Sequence, residues 1–466
     1  MTSARVNARE VALPLAVGTL ARLACNGRTP LLVGLDSVLY YLFALDWQRN
    51  FEWRALLPFR TPAYPMLLGE ALRILGESPL AVTAAQTGLG LITIFLVSDM
   101  ARRVAGSRVG LAAGLICALY PTLIFFENFL LTETLATCLI TAFYWFVLRY
   151  EATRRPLWLR LAGLSGALAA LTRPTLLPLL AVLPVLASFR SIRARLPELV
   201  RRLPLHFAYA ALLLLPWVTY VALRGGTASL TVATGWQLWI YQHIEGTFDD
   251  SVPSFAPYRE RYRAHVALDA GQASGWWLRA DIEQELDQNM PAIDRLFLRF
   301  GLENIARHPA RYAGKVLYSA AYFSGLIPVD DQEKNEADFL LRQTLRDRAF
   351  RLRVGERAMQ EVGYTLPPDP RARLVNPFDG WLAALYDALR QRGFLLTPLF
   401  VLGAWALLRR EESRFFGGAL LAGVLLVMLL HNLFLANPDR YHRVVEPVML
   451  VGACALIRQP QKGGAR

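Results

Sequence analysis

Apolar residues in this chain gather in long, nearly unbroken runs instead of the alternating or every-third-residue patterns of a soluble core. A bilayer crossing needs about 20 mostly apolar residues. Runs approaching that length fall at about 11–25, 79–100, 109–126, 132–148, 158–172, 175–189, 205–223, 392–408, 415–434 and 442–457. They predict an all-α polytopic membrane protein with about ten transmembrane helices. The 158–189 pair is one run broken at Thr172-Arg173-Pro174, where proline ends or kinks a helix. The first run follows Arg5 and Arg9, as a signal peptide would, but it has no clear small-x-small cleavage site and carries Arg22 near its end. It reads as an uncleaved first span.

Charge orients the ladder. Arg102, Arg103 and Arg108 fall in one set of loops with Arg149, Arg154, Arg155 and Arg160, then Arg190, Arg193, Arg195, Arg201 and Arg202, then Arg409, Arg410 and Arg414. The positive-inside rule puts these loops and both termini in the cytoplasm. That leaves two long outer segments, about 26–78 and 224–391. The expected organisation is an N-terminal transmembrane region at 1–223 carrying outer acidic loops, an extracytoplasmic domain at 224–391, and C-terminal transmembrane helices at 392–466. The middle domain is rich in Trp, Tyr, Arg and Asp, and its pattern is helical from about Trp276 to Phe323. Tyr312 to Leu326 is apolar but short and interrupted by Lys315, so it reads as an interfacial or packed helix.

Composition narrows the class. The chain of 466 residues is 54% hydrophobic and 19% charged, with a mean hydropathy of +0.31. That excludes a purely cytosolic enzyme and a disordered scaffold. The net charge of +13 is accounted for by loop arginines, so no nucleic-acid partner is expected. Cys25, Cys117, Cys138 and Cys454 show no CxxC spacing, and neither a zinc site nor a redox pair is indicated. His243, His265, His308 and His442 lack tight ligand spacing. Metal use stays undecided: no cofactor is certain, and a divalent cation remains an open alternative. Without a Gly-rich phosphate loop, a nucleotide donor is not supported.

The outer face holds the candidate chemistry. Asp36 lies about ten residues beyond the first span, ahead of an apolar helix-like stretch from Val38 to Phe43. Glu127 and Glu133 bracket the loop between the third and fourth spans. Carboxylates at membrane depth are costly and tend to line a cavity or pathway. One of them could take a proton from an acceptor hydroxyl; the plainer alternative is a helix cap and a solvated interfacial acid. Arg60, Arg173, Arg440 and Arg443 stand on the same face, against the usual bias. A guanidinium fork suits phosphate oxygens, as binding a lipid phosphate would require. Snorkelling to headgroups is the competing account.

The order of these motifs resembles the GT-C superfamily of integral-membrane glycosyltransferases, in the branch of the protein O-mannosyltransferases and the lipid A aminoarabinose transferase. Asp36 with Tyr40-Tyr41 is similar to the first outer-loop acid, although Ser37 stands where the family often has a second acid. Arg60-Thr61-Pro62-Ala63-Tyr64-Pro65, then Leu75-Gly76, resembles the next segment. Pro121 through Thr132-Glu133, Leu171-Thr172-Arg173-Pro174, Thr234-Gly235-Trp236 and Arg440-Tyr441…Glu446-Pro447 are also family-like. The resemblance implies a polyprenyl-phosphate-linked sugar as donor, an inverting transfer on the outer face of the inner membrane, and a lipid, glycan or protein acceptor. It casts Asp36 as base, Glu133 as second acid, and Arg60, Arg173, Arg440 and Arg443 as phosphate ligands. Tyr40, Tyr41, Tyr64, Glu127 and Tyr441 would line the substrate pocket. A polytopic transporter of lipid or solute is the alternative, though no two halves of the chain look alike. A structural assembly protein that docks through its outer domain is a third reading.

Overall fold

The computed structural model describes residues 8–26, 35–50, 60–268, 272–287, 289–323, 393–434 and 438–457. Every one of the expected apolar runs is helical. They form α1 (Ala8–Asn26), α4 (Pro79–Ala105), α5 (Ser107–Ala118) continued by α6 (Pro121–Glu127), α7 (Glu133–Thr153) and α8 (Pro156–Thr172). A 3-10 stretch (Pro174–Ala181) runs into α9 (Val182–Ser188), and α10 (Arg190–Arg195) leads to α11 (Pro197–Gly225). The C-terminal group is α17 (Gly393–Arg409), α18 (Arg414–Phe434) and α19 (Pro438–Cys454). No strand occurs among the described residues. The protein is an all-α polytopic membrane protein.

Among the described residues, three helices are long and apolar enough to cross a membrane unaided: α4, α11 and α18. The α5–α6 pair, bent by 49°, makes a fourth if it is one span. The other runs give shorter apolar helices, and prolines explain two of the interruptions. Pro121 starts α6 after the break at Leu119 and Tyr120. Pro174 and Pro178 leave the backbone between α8 and α9 as a 3-10 helix, since neither can donate to the α-ladder.

Packing draws α4, α5, α7, α8, α18 and α19 around one apolar core that includes Ile94, Phe143, Leu183 and Phe416. The α8–α11 contact depends on a missing side chain. A Cβ at Gly163 would sit 2.2 Å from the backbone oxygen of His206, so only glycine lets these backbones touch.

The first outer segment, expected as a loop, contains α2 (Leu35–Asn50) and α3 (Ala63–Leu75). They pack together, with Trp47 Nε1 donating to Glu70 Oε1 at 2.9 Å. The apolar stretch after Asp36 is the start of α2. The second outer segment holds α12 (Thr234–Ile244), α13 (Arg259–Leu268), α14 (Gln272–Glu285), α15 (Met290–Arg307) and α16 (Pro309–Phe323). Its aromatic core is built on Trp236, Trp239, Phe255, Phe297 and Phe300. Asp294 caps α12 by accepting from Gly235 N at 2.7 Å and Trp236 N at 3.1 Å. Burial raises its pKa against the pull of these donors. The expected packed helix around Lys315 is α16, and Lys315 Nζ donates to the Asn432 carbonyl of α18 at 3.3 Å. The rest of the expected outer domain, 324–391, lies outside the described residues.

Candidate active site

The break after α8 creates the centre of the site. Arg173 precedes Pro174, which disfavours helical geometry for the residue before it. Arg173 is accordingly extended, with φ −145° and ψ 115°. The freed carbonyl of Thr172 accepts from Thr61 Oγ1 at 3.0 Å. The Arg173 guanidinium meets the Glu133 carboxylate, Nη1 to Oε1, at 3.0 Å. Both side chains are nearly sealed from solvent, at 7% and 1% exposure. Glu133 opens α7, where the helix dipole favours a negative charge.

Around this pair stand aromatic and amide groups from three further elements. Tyr64 of α3 donates its hydroxyl to Gln86 Oε1 at 3.1 Å and lies within electrostatic reach of Glu133. Gln86 in turn donates to the carbonyls of Glu127 at 3.0 Å and Phe129 at 2.9 Å, fixing the loop that leads to Glu133. The Tyr40 ring of α2 meets Tyr64 edge-on at 5.3 Å. Arg60 lies over the Tyr40 ring, its guanidinium 5.9 Å from the centroid.

Helix α14 adds a cation that sequence reasoning passed over. Arg279 of α14 is 5% exposed and within electrostatic reach of Arg60. It stacks over Trp236 at 4.8 Å and donates to Glu283 Oε1 at 2.6 Å. Burial lowers its pKa, yet a guanidinium stays charged across the physiological range. Glu133 pairs with Arg173 and Glu283 with Arg279, and Arg60 adds a further cation to the region. An apolar cluster of Phe43, Leu171, Trp217, Val221 and Val232, flanked by Ala63 and Met290, ties α2, α8 and α11 to the outer domain. The signal for Arg279 was weak. It sits four residues before Glu283, the spacing of an ordinary solvated helix pair.

The remaining sequence candidates divide. Asp36 is the second residue of α2, one helical turn before Tyr40, so the two positions share a face. Its side chain lies outside the described residues, as do those of Arg440, Tyr441 and Arg443 on the first turns of α19. Tyr41 is buried with Glu77 and Arg49 as its charged neighbours. Glu127 has a partner that the sequence did not suggest. Arg22 of α1 grips it bidentately, Nε to Oε2 and Nη2 to Oε1, both at 2.6 Å. Glu127 and Glu133 nevertheless line one small crevice, with Gly90, Thr93 and Thr137 between them.

Among the described residues no three His, Cys, Asp or Glu side chains converge as metal ligands. His243 is held by the Tyr262 hydroxyl at 2.8 Å and the Ser274 hydroxyl at 3.0 Å. His265 pairs with Asp281 and His308 with Asp249. The side chain of His442 lies outside the described residues.

Residues 59–222 match the model of the dolichyl-phosphate-mannose-protein mannosyltransferase family. The matched segment covers about a third of the chain and contains Arg60, Tyr64, Glu127, Glu133 and Arg173. Asp36, Arg279 and Arg440 lie outside it. Over this segment the expected likeness to a polyprenyl-phosphate-sugar transferase family is found. The chain is also similar to the crystal structure of ArnT from Cupriavidus metallidurans bound to undecaprenyl phosphate, at 16% identity and a TM-score of 0.42. That alignment covers 92% of this chain and 78% of the other. The apo structure of the same protein gives 16% identity, a TM-score of 0.40, and coverages of 91% and 77%. No curated protein matches the chain.

Proposed function

We propose that the protein is an integral-membrane glycosyltransferase that moves a sugar from a polyprenyl-phosphate carrier to an acceptor on the extracytoplasmic face of the inner membrane. The main support is the layer formed by the Glu133–Arg173 pair, Tyr64, Tyr40 and the Arg60 guanidinium over the Tyr40 ring. Arg60, Glu133 and Arg173 lie in a segment that matches a family named for a sugar on dolichyl phosphate. A phosphate here would take charge-assisted hydrogen bonds from Arg60 and Arg279.

In this reading the acceptor oxygen attacks the first carbon of the sugar while its proton passes to the Asp36 carboxylate. The bond from that carbon to the phosphate oxygen breaks on the opposite side, so the configuration inverts. Charge accumulates on the departing lipid phosphate, where Arg60 and Arg279 stabilise it. Arg173 acts mainly by holding Glu133 in place, and Glu133 orients the acceptor. Tyr40 and Tyr64 form an aromatic wall for the sugar, and Arg440, Tyr441 and Arg443 are assigned to the donor phosphate and the pocket from the sequence alone. The domain scheme follows: residues 1–223 and 392–466 make the membrane part, and 224–391 makes an extracytoplasmic cover.

The test is transfer of a radiolabelled sugar from a polyprenyl-phosphate donor in proteoliposomes. Wild-type protein should transfer label, and Asp36→Asn should abolish most of it at unchanged donor binding. Full transfer by Asp36→Asn would remove the base assignment. Solute flux without any label transfer would favour a transporter.

A further inference from the structure

A second cluster lies at the far end of α7, about 24 Å from Glu133 at 1.5 Å rise per residue. There the Arg149 guanidinium lies against two indoles, 5.3 Å from the Trp145 ring centroid and 4.9 Å from that of Trp158. The two indoles meet edge-on at 5.5 Å, and Phe146 stacks on Trp158 at 6.1 Å. Trp145 is oriented by its Nε1, which donates to Asp99 Oδ2 at 2.8 Å.

Asp99 cannot serve as the counter-ion of Arg149. Its carboxylate is already claimed by Arg102 at 2.5 Å and Arg103 at 2.6 Å. Arg102, Arg103 and Arg155 are all charged neighbours of Arg149, and Asp99 is an acid facing it. Two donors in the cage, Arg149 Nε and Trp158 Nε1, are buried without an acceptor. A buried donor without an acceptor costs about 1–3 kcal/mol. Two of them side by side, in a positively charged aromatic cage, ask for one ligand with several anionic oxygens. Tryptophans and arginines at the end of a transmembrane bundle stand at headgroup level. A ligand reaching this position from the bilayer carries its oxygens on phosphate.

We propose that Arg149, Trp158 and Arg155 form a binding site for the phosphodiester of an anionic phospholipid, at the end of the bundle opposite the candidate active site. Arg149 Nε and the Trp158 indole donate to the phosphate oxygens. Trp145 and Trp158 pack against the guanidinium, and Arg103 and Arg155 supply the net positive field that selects an anionic over a zwitterionic headgroup.

The experiment is native mass spectrometry of the full-length protein in detergent, with added phosphatidylglycerol or phosphatidylcholine. Wild-type protein should retain phosphatidylglycerol in preference to phosphatidylcholine. Arg149→Gln and Trp158→Phe should each weaken that retention by about tenfold, the loss of one charge-assisted or buried hydrogen bond. Arg108→Gln, an exposed arginine at the same end, should leave it unchanged. Trp158→Phe keeps the aromatic packing, so it decides the matter if Arg149→Gln folds poorly. Equal retention of the two lipids, or undiminished retention in Trp158→Phe, overturns the site. Displacement of phosphatidylglycerol by millimolar inorganic phosphate alone would also overturn it, as a site for free phosphate.

Discussion

The Glu133–Arg173 pair makes the sharpest demand on the reading of the site. The two charged groups lie 3.0 Å apart with side-chain exposures of 1% and 7%. At an effective dielectric of about 20, charges that close attract by about 5 kcal/mol before desolvation is subtracted. The net value of the pair is smaller, but removing one partner strands the other in a dry site, which costs about 3–5 kcal/mol. Arg173→Ala and Glu133→Gln should therefore each lower the denaturant midpoint of the purified protein markedly. Combining them should recover part of the loss, with a coupling energy of about 1–3 kcal/mol in a double-mutant cycle. Transfer kinetics then separate two roles for Arg173. If it acts through Glu133, the double variant should bind the lipid donor like wild type and lose only turnover. If it touches phosphate directly, donor KM should stay raised in the double variant although stability has recovered. Additive single effects, within about 0.5 kcal/mol, would refute the pairing as an energetic unit.

Four other outcomes follow from the same geometry. Arg60→Ala and Arg279→Ala should each weaken donor use by about 1.5–3 kcal/mol in kcat/KM, and Arg60→Lys should recover part of it because the charge returns without the fork; unchanged kcat/KM in both Ala variants would place the phosphate elsewhere. Asp36→Asn should cut transfer by about 10²–10⁴-fold at unchanged donor affinity, as measured by labelled-sugar transfer and donor binding. A cysteine at Leu268, which is 78% exposed on the outer domain, should react with a membrane-impermeant maleimide once the outer membrane alone is permeabilised; labelling only after inner-membrane lysis would invert the topology. Hydrogen bonds from the Ser251 N–H and hydroxyl, then from His308, lower the Asp249 pKa from 3.8 to about 2. A depressed carboxyl stabilises the folded domain above its unfolded pKa, so this contribution should fade as pH falls from about 4 to 2. Near-ultraviolet circular dichroism should show that acid sensitivity reduced in Asp249→Asn.

How far the sequence foretold this arrangement depends on the scale of the feature. The membrane helices were legible because bilayer burial imposes one signal, a long apolar run, and each run became helix. The break at Arg173 was legible for a local reason, since Pro174 dictates the geometry of the residue before it whatever surrounds it. The helices within 26–78 were harder to see: α2 mixes Asp36, Asp46, Gln48 and Arg49 with its apolar positions and lacks the length of a span. Partner choice was not legible at all. Glu127 and Glu133 look alike in sequence, six residues apart in one loop region, yet Arg22 takes the first and Arg173 the second. Those pairings join residues 105 positions apart in one case and cross from α7 to the end of α8 in the other, and only the packed bundle sets such distances. The same limit hid Arg279, whose i,i+4 partner Glu283 made it resemble a surface residue. It gains its significance from Arg60 near it, a neighbour more than 200 positions away in the chain that only folding brings within electrostatic reach. The phosphate-binding reading thus joins a motif the sequence displays, around Arg60, to a cation that only folding brings to it.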